Sequence, residues 1–189
     1  GRKRYIAAPP PPPCVPVYDR SPADALHVID EWPGGFGWLA HPEEGGRRAS
    51  HAVRHPDGDG VWVFDPLDAP GLDDRLADLG EVTGVAVLSD YHARDAAAIA
   101  RRHDVPVTVP AALDRAADVV EAPVERTAGP VAGFDLHAVR PLYAWRETVA
   151  YRASDRTLYV SDYLSSHEKF CVGGERVGMP APSRLSAHR

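Results

Sequence analysis

The 189-residue chain has the size of one domain with a flexible extension, long enough to bury a substantial core. Its formal charge of −6 and pI near 5.8 argue against non-specific nucleic-acid binding, which needs clustered Lys and Arg, and no apolar stretch is long enough for a membrane span. Arg outnumbers Lys 19 to 2 and Asp outnumbers Glu 18 to 9, a bias that fits a GC-rich genome and leans toward a salt-adapted cytoplasm.

The opening "GRKRYIAAPPPPPC" carries basic residues without the apolar core of a signal peptide, so a cytoplasmic location is expected. Pro9 to Pro13, with Pro16 behind them, cannot build a helix or a central strand. Residues 1–24 therefore read as a proline-rich flexible segment, polyproline II or disordered to about residue 22, and residues 25–189 as the compact domain. Cys14 and Cys171 can make at most one disulfide. With Cys14 inside the proline run, free thiols in a reducing compartment are expected.

From there the pattern becomes regular. "GFGWLA" and "RASHAVRH" read as strands, and "GVWVFDPL" follows them after "PDGDG", which has the Asp-Gly chemistry of a hairpin turn. "GLDDRLADLG" reads as a short helix stopped by Gly80, "VTGVAVL" as a buried strand, and residues 93–103 as an Ala-rich helix. "VPVTVP" is a further strand and "AALDRAADVV" a further helix. Strand and helix alternating in this way imply a parallel sheet covered on both faces. The last third changes character: "FDLHAVRP", "ETVAYRA" and "RTLYVSDYL" are strands with no helix-length segment between them. Two packed sheets with helices outside are the expected architecture.

Polar residues gather where buried strands end. Asp65 follows "VWVF", "SDYHARD" (residues 89–95) follows "VAVL", and Asp162 follows "LYVS". Strand ends along one edge of a sheet are where α/β proteins assemble sites.

On these segments the sequence resembles the metallo-β-lactamase superfamily, over roughly residues 36–185. "VWVFDPL" looks like the family's strand ending in an aspartate. "VLSDYHARDAAAIARRHDVPVTVP" looks like its strand, HxHxDH ligand loop, helix and next strand. "VRPLYAWRETVAYR" sits where the family has its PGHT-type segment, and "RTLYVSDYL" is similar to the strand whose terminal carboxylate bridges two metals. The resemblance implies an α/β fold, a four-layer αββα sandwich. It also points to a haloarchaeal-type branch, in agreement with the composition.

The departures fall on the ligands. The first histidine of the HxHxDH loop is replaced by Asp90, the second is His92, the aspartate position holds Arg94, and the last histidine position holds Asp95. The PGHT histidine falls at Tyr143, while Asp65 and Asp162 are retained. The family's last histidine has no clear counterpart: Met179 lies nearby and His188 is almost at the end. A zinc hydrolase needs three or four neutral or carboxylate ligands converging on the ion, with one position left for water. A guanidinium stays protonated, cannot coordinate, and repels a divalent cation. The expectation is a degenerate site with no metal cofactor, in which Arg94, helped by Arg140 and Arg146, neutralises Asp65, Asp95 and Asp162.

These residues also have plain structural uses. Ser89 or Asp90 can cap the following helix, with Asp95 in its first turn. His92 can be a hydrogen-bonded loop residue, and His51 and His55 can lie on one face of a surface strand. Trp32, Trp38, Trp62 and Trp145 suit packing, with Trp145 beside Tyr143 at a pocket mouth as the other use. Two functions are expected to compete. One is a hydrolase-like fold turned to binding or scaffolding, with a small molecule as the partner class left open. The other is an ester or thioester hydrolase with one zinc or other divalent ion on His92, Asp95 and Asp162, completed by a residue such as His51 or His167. Neither nucleic acid nor membrane is expected as a partner.

Overall fold

The computed structural model describes residues 16–58, 60–142, 145–179 and 184. Pro9 to Pro13, Cys14, Tyr143 and His188, all singled out above, lie outside the described residues. Among the described residues ten strands form two sheets, one of seven in the order β1-β2-β3-β4-β5-β6-β7 and one of three in the order β10-β9-β8.

The large sheet begins with an antiparallel meander: β1 (His27–Trp32), β2 (Gly35–Leu39), β3 (Ala49–Arg54) and β4 (Val61–Phe64). The "PDGDG" turn joins β3 to β4, and Gly58 (φ 84°) and Gly60 (φ 100°) supply backbone angles that a side chain would resist. Gly35 lets β2 lie against β3, since a Cβ there would run into the carbonyl of Ala52. From β4 onward the sheet is parallel, through β5 (Val82–Ala86), β6 (Val107–Pro110) and β7 (Val124–Thr127).

The crossovers carry α1 (Leu72–Leu79), α2 (Ala96–Arg102) and α3 (Asp114–Val119). Right-handed crossovers from one parallel strand to the next place successive helices on one face. Leu72 and Leu76 of α1, Ile99 and Ala100 of α2 and Ala116 of α3 accordingly share a core with Val63, Val85 and Val107. Gly80 closes α1, its N–H donating to Leu76 O 2.8 Å away.

The small sheet contains β8 (Asp135–Leu142), β9 (Trp145–Arg152) and β10 (Thr157–Tyr159), all antiparallel. It packs on the other face of the large sheet. There Phe134, Ala150 and Tyr159 meet Phe64, Ala86 and Leu88, with the Phe64 ring edge-on to both Phe134 (5.5 Å) and Tyr159 (5.2 Å). This is the mixed α/β sandwich expected from the sequence. Among the described residues the α-helices all pack on the large sheet, and the helical element after β10 is a single 3-10 turn, Glu168–Phe170.

Residues 16–19, within the stretch expected to be extended or disordered, are tied to the β2–β3 loop. Gly45 N donates to Pro16 O at 2.9 Å, Gly46 N to Val17 O at 3.0 Å, and Asp19 N to Glu44 Oε2 at 3.0 Å. Buried Glu44 also holds the Arg48 guanidinium at 2.8–3.1 Å. No helix among the described residues is long and apolar enough to cross a membrane.

Candidate functional site

The ends of β4, β5 and β10 bring Asp65, His92 and Asp162 together. Asp65 is fully buried and has φ 48°, a left-handed conformation that Asp tolerates better than most residues. Its Oδ1 accepts from Leu88 N at 2.7 Å. Its Oδ2 takes the Tyr159 hydroxyl at 2.9 Å, the Ser161 hydroxyl at 2.8 Å, and lies 3.0 Å from His92 Nδ1. The other ring nitrogen, His92 Nε2, lies 3.0 Å from Asp162 Oδ2. His92 is thus held between two carboxylates, one in the interior and one whose side chain is 51% exposed.

The charges fit this geometry. Burial raises the Asp65 carboxyl, but the His92 charge and hydrogen bond, Arg94 and the Leu88 N–H outweigh it and hold the group at about 2. Burial and Arg94 push the His92 ring down, yet the Asp65 charge and hydrogen bonds to both carboxylates prevail and raise it above its ordinary value. Asp162 is lowered: burial opposes, and its hydrogen bond and charge pairing with His92 overcome that. An imidazolium donating from both nitrogens to two ionised carboxylates satisfies every one of these tendencies.

Arg94 stands close to this centre without pairing to a carboxylate, which corrects its expected role. It has φ 37°, and its Nη1 donates to the main-chain carbonyls of Ala49 and Asp65, both at 2.7 Å. The Ser50 hydroxyl donates to the same Asp65 carbonyl at 3.0 Å and accepts from Leu67 N at 2.9 Å. The guanidinium therefore fastens the start of β3 to the end of β4; its charge still helps to lower Asp65 and Asp162, but the hydrogen-bonded pairing with both carboxylates falls to His92. The helpers expected for Arg94 are elsewhere: Arg146 pairs with Asp114 at 2.7 Å, and Arg140 is exposed.

The remaining loop acids point away from the centre. Asp90 Oδ1 accepts from Ala116 N in the first turn of α3 at 3.1 Å. Neither it nor Ser89 caps α2, whose first flanking residue is Asp95 with no side-chain cap. Asp95 Oδ2 instead accepts from Asp68 N at 2.8 Å, fixing the loop after β4. His51 lies behind Tyr159, ring edge to ring face at 5.4 Å, and burial lowers it. His55 sits at the hairpin turn, where its Nδ1 accepts from Asp57 N at 3.3 Å, and His167 Nδ1 accepts from Lys169 N at 3.1 Å.

Glu147, Tyr159 and Ser161 belong to the site and were not among the sequence candidates. Glu147 is wholly buried. Its Oε1 accepts from Trp145 Nε1 at 2.8 Å and its Oε2 from Tyr163 N at 2.9 Å, while Asp162 N lies 3.1 and 3.2 Å from the two oxygens. Burial and the Asp162 charge raise this carboxyl to about 7. Trp145, expected in packing with a pocket mouth as its other use, spends its indole N–H on Glu147. Tyr159 and Ser161 stood inside the quoted "RTLYVSDYL". Their hydroxyls within three residues of Asp162 were the signal available, whereas nothing local marks a β9 glutamate for burial under the 161–163 turn.

A zinc centre needs three or four donors aimed at one point. His92 Nε2 and Asp162 supply two, Asp90 and Asp95 are turned to amides of other segments, and the arginine of the same loop brings positive charge. Among the described residues no group of three His, Cys, Asp or Glu is placed to hold a metal ion. As arranged, these side chains do not fit the family's zinc centre.

The two sheets packed face to face, with the helices on the large one, form a sandwich of the metallo-β-lactamase type. Comparison with solved structures agrees. The crystal structure of DIM-1 metallo-beta-lactamase shares this fold with a TM-score of 0.56 at 13% sequence identity, over 76% of this chain and 72% of that one. No family model matches the sequence, and no curated protein matches it.

Proposed function

We propose that this protein is a hydrolase-like member of the metallo-β-lactamase fold that has left conventional dinuclear zinc hydrolysis and serves by binding or as a scaffold. The observation that carries the reading is the fate of the HxHxDH positions. Asp90 turns to Ala116 N, Arg94 to two carbonyls, and Asp95 to Asp68 N, leaving His92 alone in the centre. Without converging ligands, no bound water is lowered to a pKa near neutrality, the step on which zinc hydrolases depend. The Arg-for-Lys and Asp-for-Glu bias supports a haloarchaeal-type branch and a cytoplasmic setting, and a small molecule remains the partner class in view.

One observation favours a second reading, an ester or thioester hydrolase with a single ion. Asp65 on His92 Nδ1 is the arrangement by which a carboxylate orients a metal-binding histidine. Elemental analysis of protein purified without chelator, together with an esterase and thioesterase assay, separates the two. No stoichiometric metal and no turnover is the expected result. Stoichiometric zinc, manganese or iron, lost with the activity in His92→Ala, would reverse the preference.

A further inference from the structure

His92 stands on the loop between β5 and α2, and Asp65 ends β4 of the same sheet. Asp162 follows β10, in the small sheet. The two ring nitrogens, each 3.0 Å from a carboxylate oxygen, therefore connect the loops of different sheets. We infer that His92 is a fixed bridge between the sheets, doing by hydrogen bonds the cross-sheet fastening that a shared ion performs in the fold's metal-dependent members. This rests on the reading proposed above and goes beyond it, because it gives the retained histidine a job of its own.

The surroundings are built for a bridge. Tyr159 and Ser161, both from the small-sheet side, donate to the same Asp65 oxygen that faces His92. Glu147 of β9 holds the amides of Asp162 and Tyr163, so the turn bearing Asp162 is fixed before it meets the ring. His92 is 7% exposed, so water competes little for either nitrogen. An ion would need further donors at the same point; of those the sequence suggested, Asp95 is committed to Asp68 N, His51 lies against the Tyr159 ring, and His167 Nδ1 accepts from Lys169 N.

The test joins thermal unfolding to amide hydrogen exchange on the full chain. In His92→Phe the melting temperature is expected to fall by at least about 5 °C, a shift that corresponds to losing a buried charge-assisted pair in a domain of this size. Exchange in residues 157–163 is expected to rise by about tenfold or more while α1 and β5 stay protected. Asp162→Ala removes a half-exposed side chain and keeps the reading available if the first variant fails to fold. It is expected to produce the same local acceleration, and the two changes to be non-additive in the double variant. Unchanged exchange at 157–163 in Asp162→Ala overturns the bridge and leaves the proposed function standing. Zinc chloride alone, if it protects 157–163 and raises the melting temperature only when His92 is present, overturns both.

Discussion

Asp65 accepts hydrogen bonds from Leu88, Tyr159 and Ser161 and faces His92, with no solvent contact. Asp65→Ala would strand those donors and leave the His92 charge partly uncompensated, so a loss of about 3–5 kcal/mol in denaturant unfolding is expected. The acid limb of stability has a definite sign. Asp65 titrates at about 2 in the fold against 3.8 without it, so its contribution is present above about pH 4 and is lost as pH falls toward 2. Glu147 and His92 act in the opposite sense. Glu147 keeps its proton to about pH 7 in the fold, against 4.5 when unfolded, and His92 keeps its own above 6.5. The folded state thus binds more protons, and stability declines as pH rises from about 4.5 through 7 and beyond. Urea unfolding from pH 2 to 8 is expected to show a maximum near pH 4–5. In Glu147→Gln, whose side chain cannot ionise, the decline between 4.5 and 7 should shrink; an unchanged slope would remove Glu147 as its source.

At the scale of elements, Arg152 fixes β9 to its surroundings. Its guanidinium holds Asp155 at 2.6–3.1 Å, donates to Arg54 O at 2.9 Å and Ala132 O at 3.3 Å, and lies 4.4 Å from the centre of the Phe134 ring. It is 3% exposed. Arg152→Ala is expected to lose about 2–4 kcal/mol by chemical denaturation, and Arg152→Lys to recover little, since an ammonium cannot reproduce the planar fork or the stacking. Full recovery by lysine would reduce the residue to a point charge. The elements legible in the sequence were mainly the buried ones. "VWVF" and "VTGVAV" mark central strands and Gly80 marks the end of α1 because burial and backbone freedom leave a pattern. The edge strands β1 and β7 were not read out. "HVIDEW" is mostly exposed and broken by an irregularity between Val28 and Asp30, and "VERT" is half polar, so neither shows alternation. The helix expected from residue 93 starts at Ala96 because Arg94 takes a left-handed turn to reach two carbonyls, a demand of the tertiary structure.

At the scale of the molecule, the sandwich was legible, and acids at strand ends marked the region where Asp65 and His92 of the large sheet meet Asp162 of the small one. The partners were not. Whether a loop acid faces the centre or a neighbouring amide depends on a bond rotation that no spacing encodes, which is why Asp90 and Asp95 go elsewhere and Arg94 binds carbonyls. Glu147 enters the site only because a turn from the small sheet closes over it. The most direct measurement is calorimetric titration of zinc chloride into chelator-treated protein at neutral pH. With His92 engaged at both nitrogens, no saturable heat at one equivalent is expected, in wild type or in His92→Ala. One equivalent bound at micromolar affinity or tighter in the wild type, and absent in His92→Ala, would contradict the account.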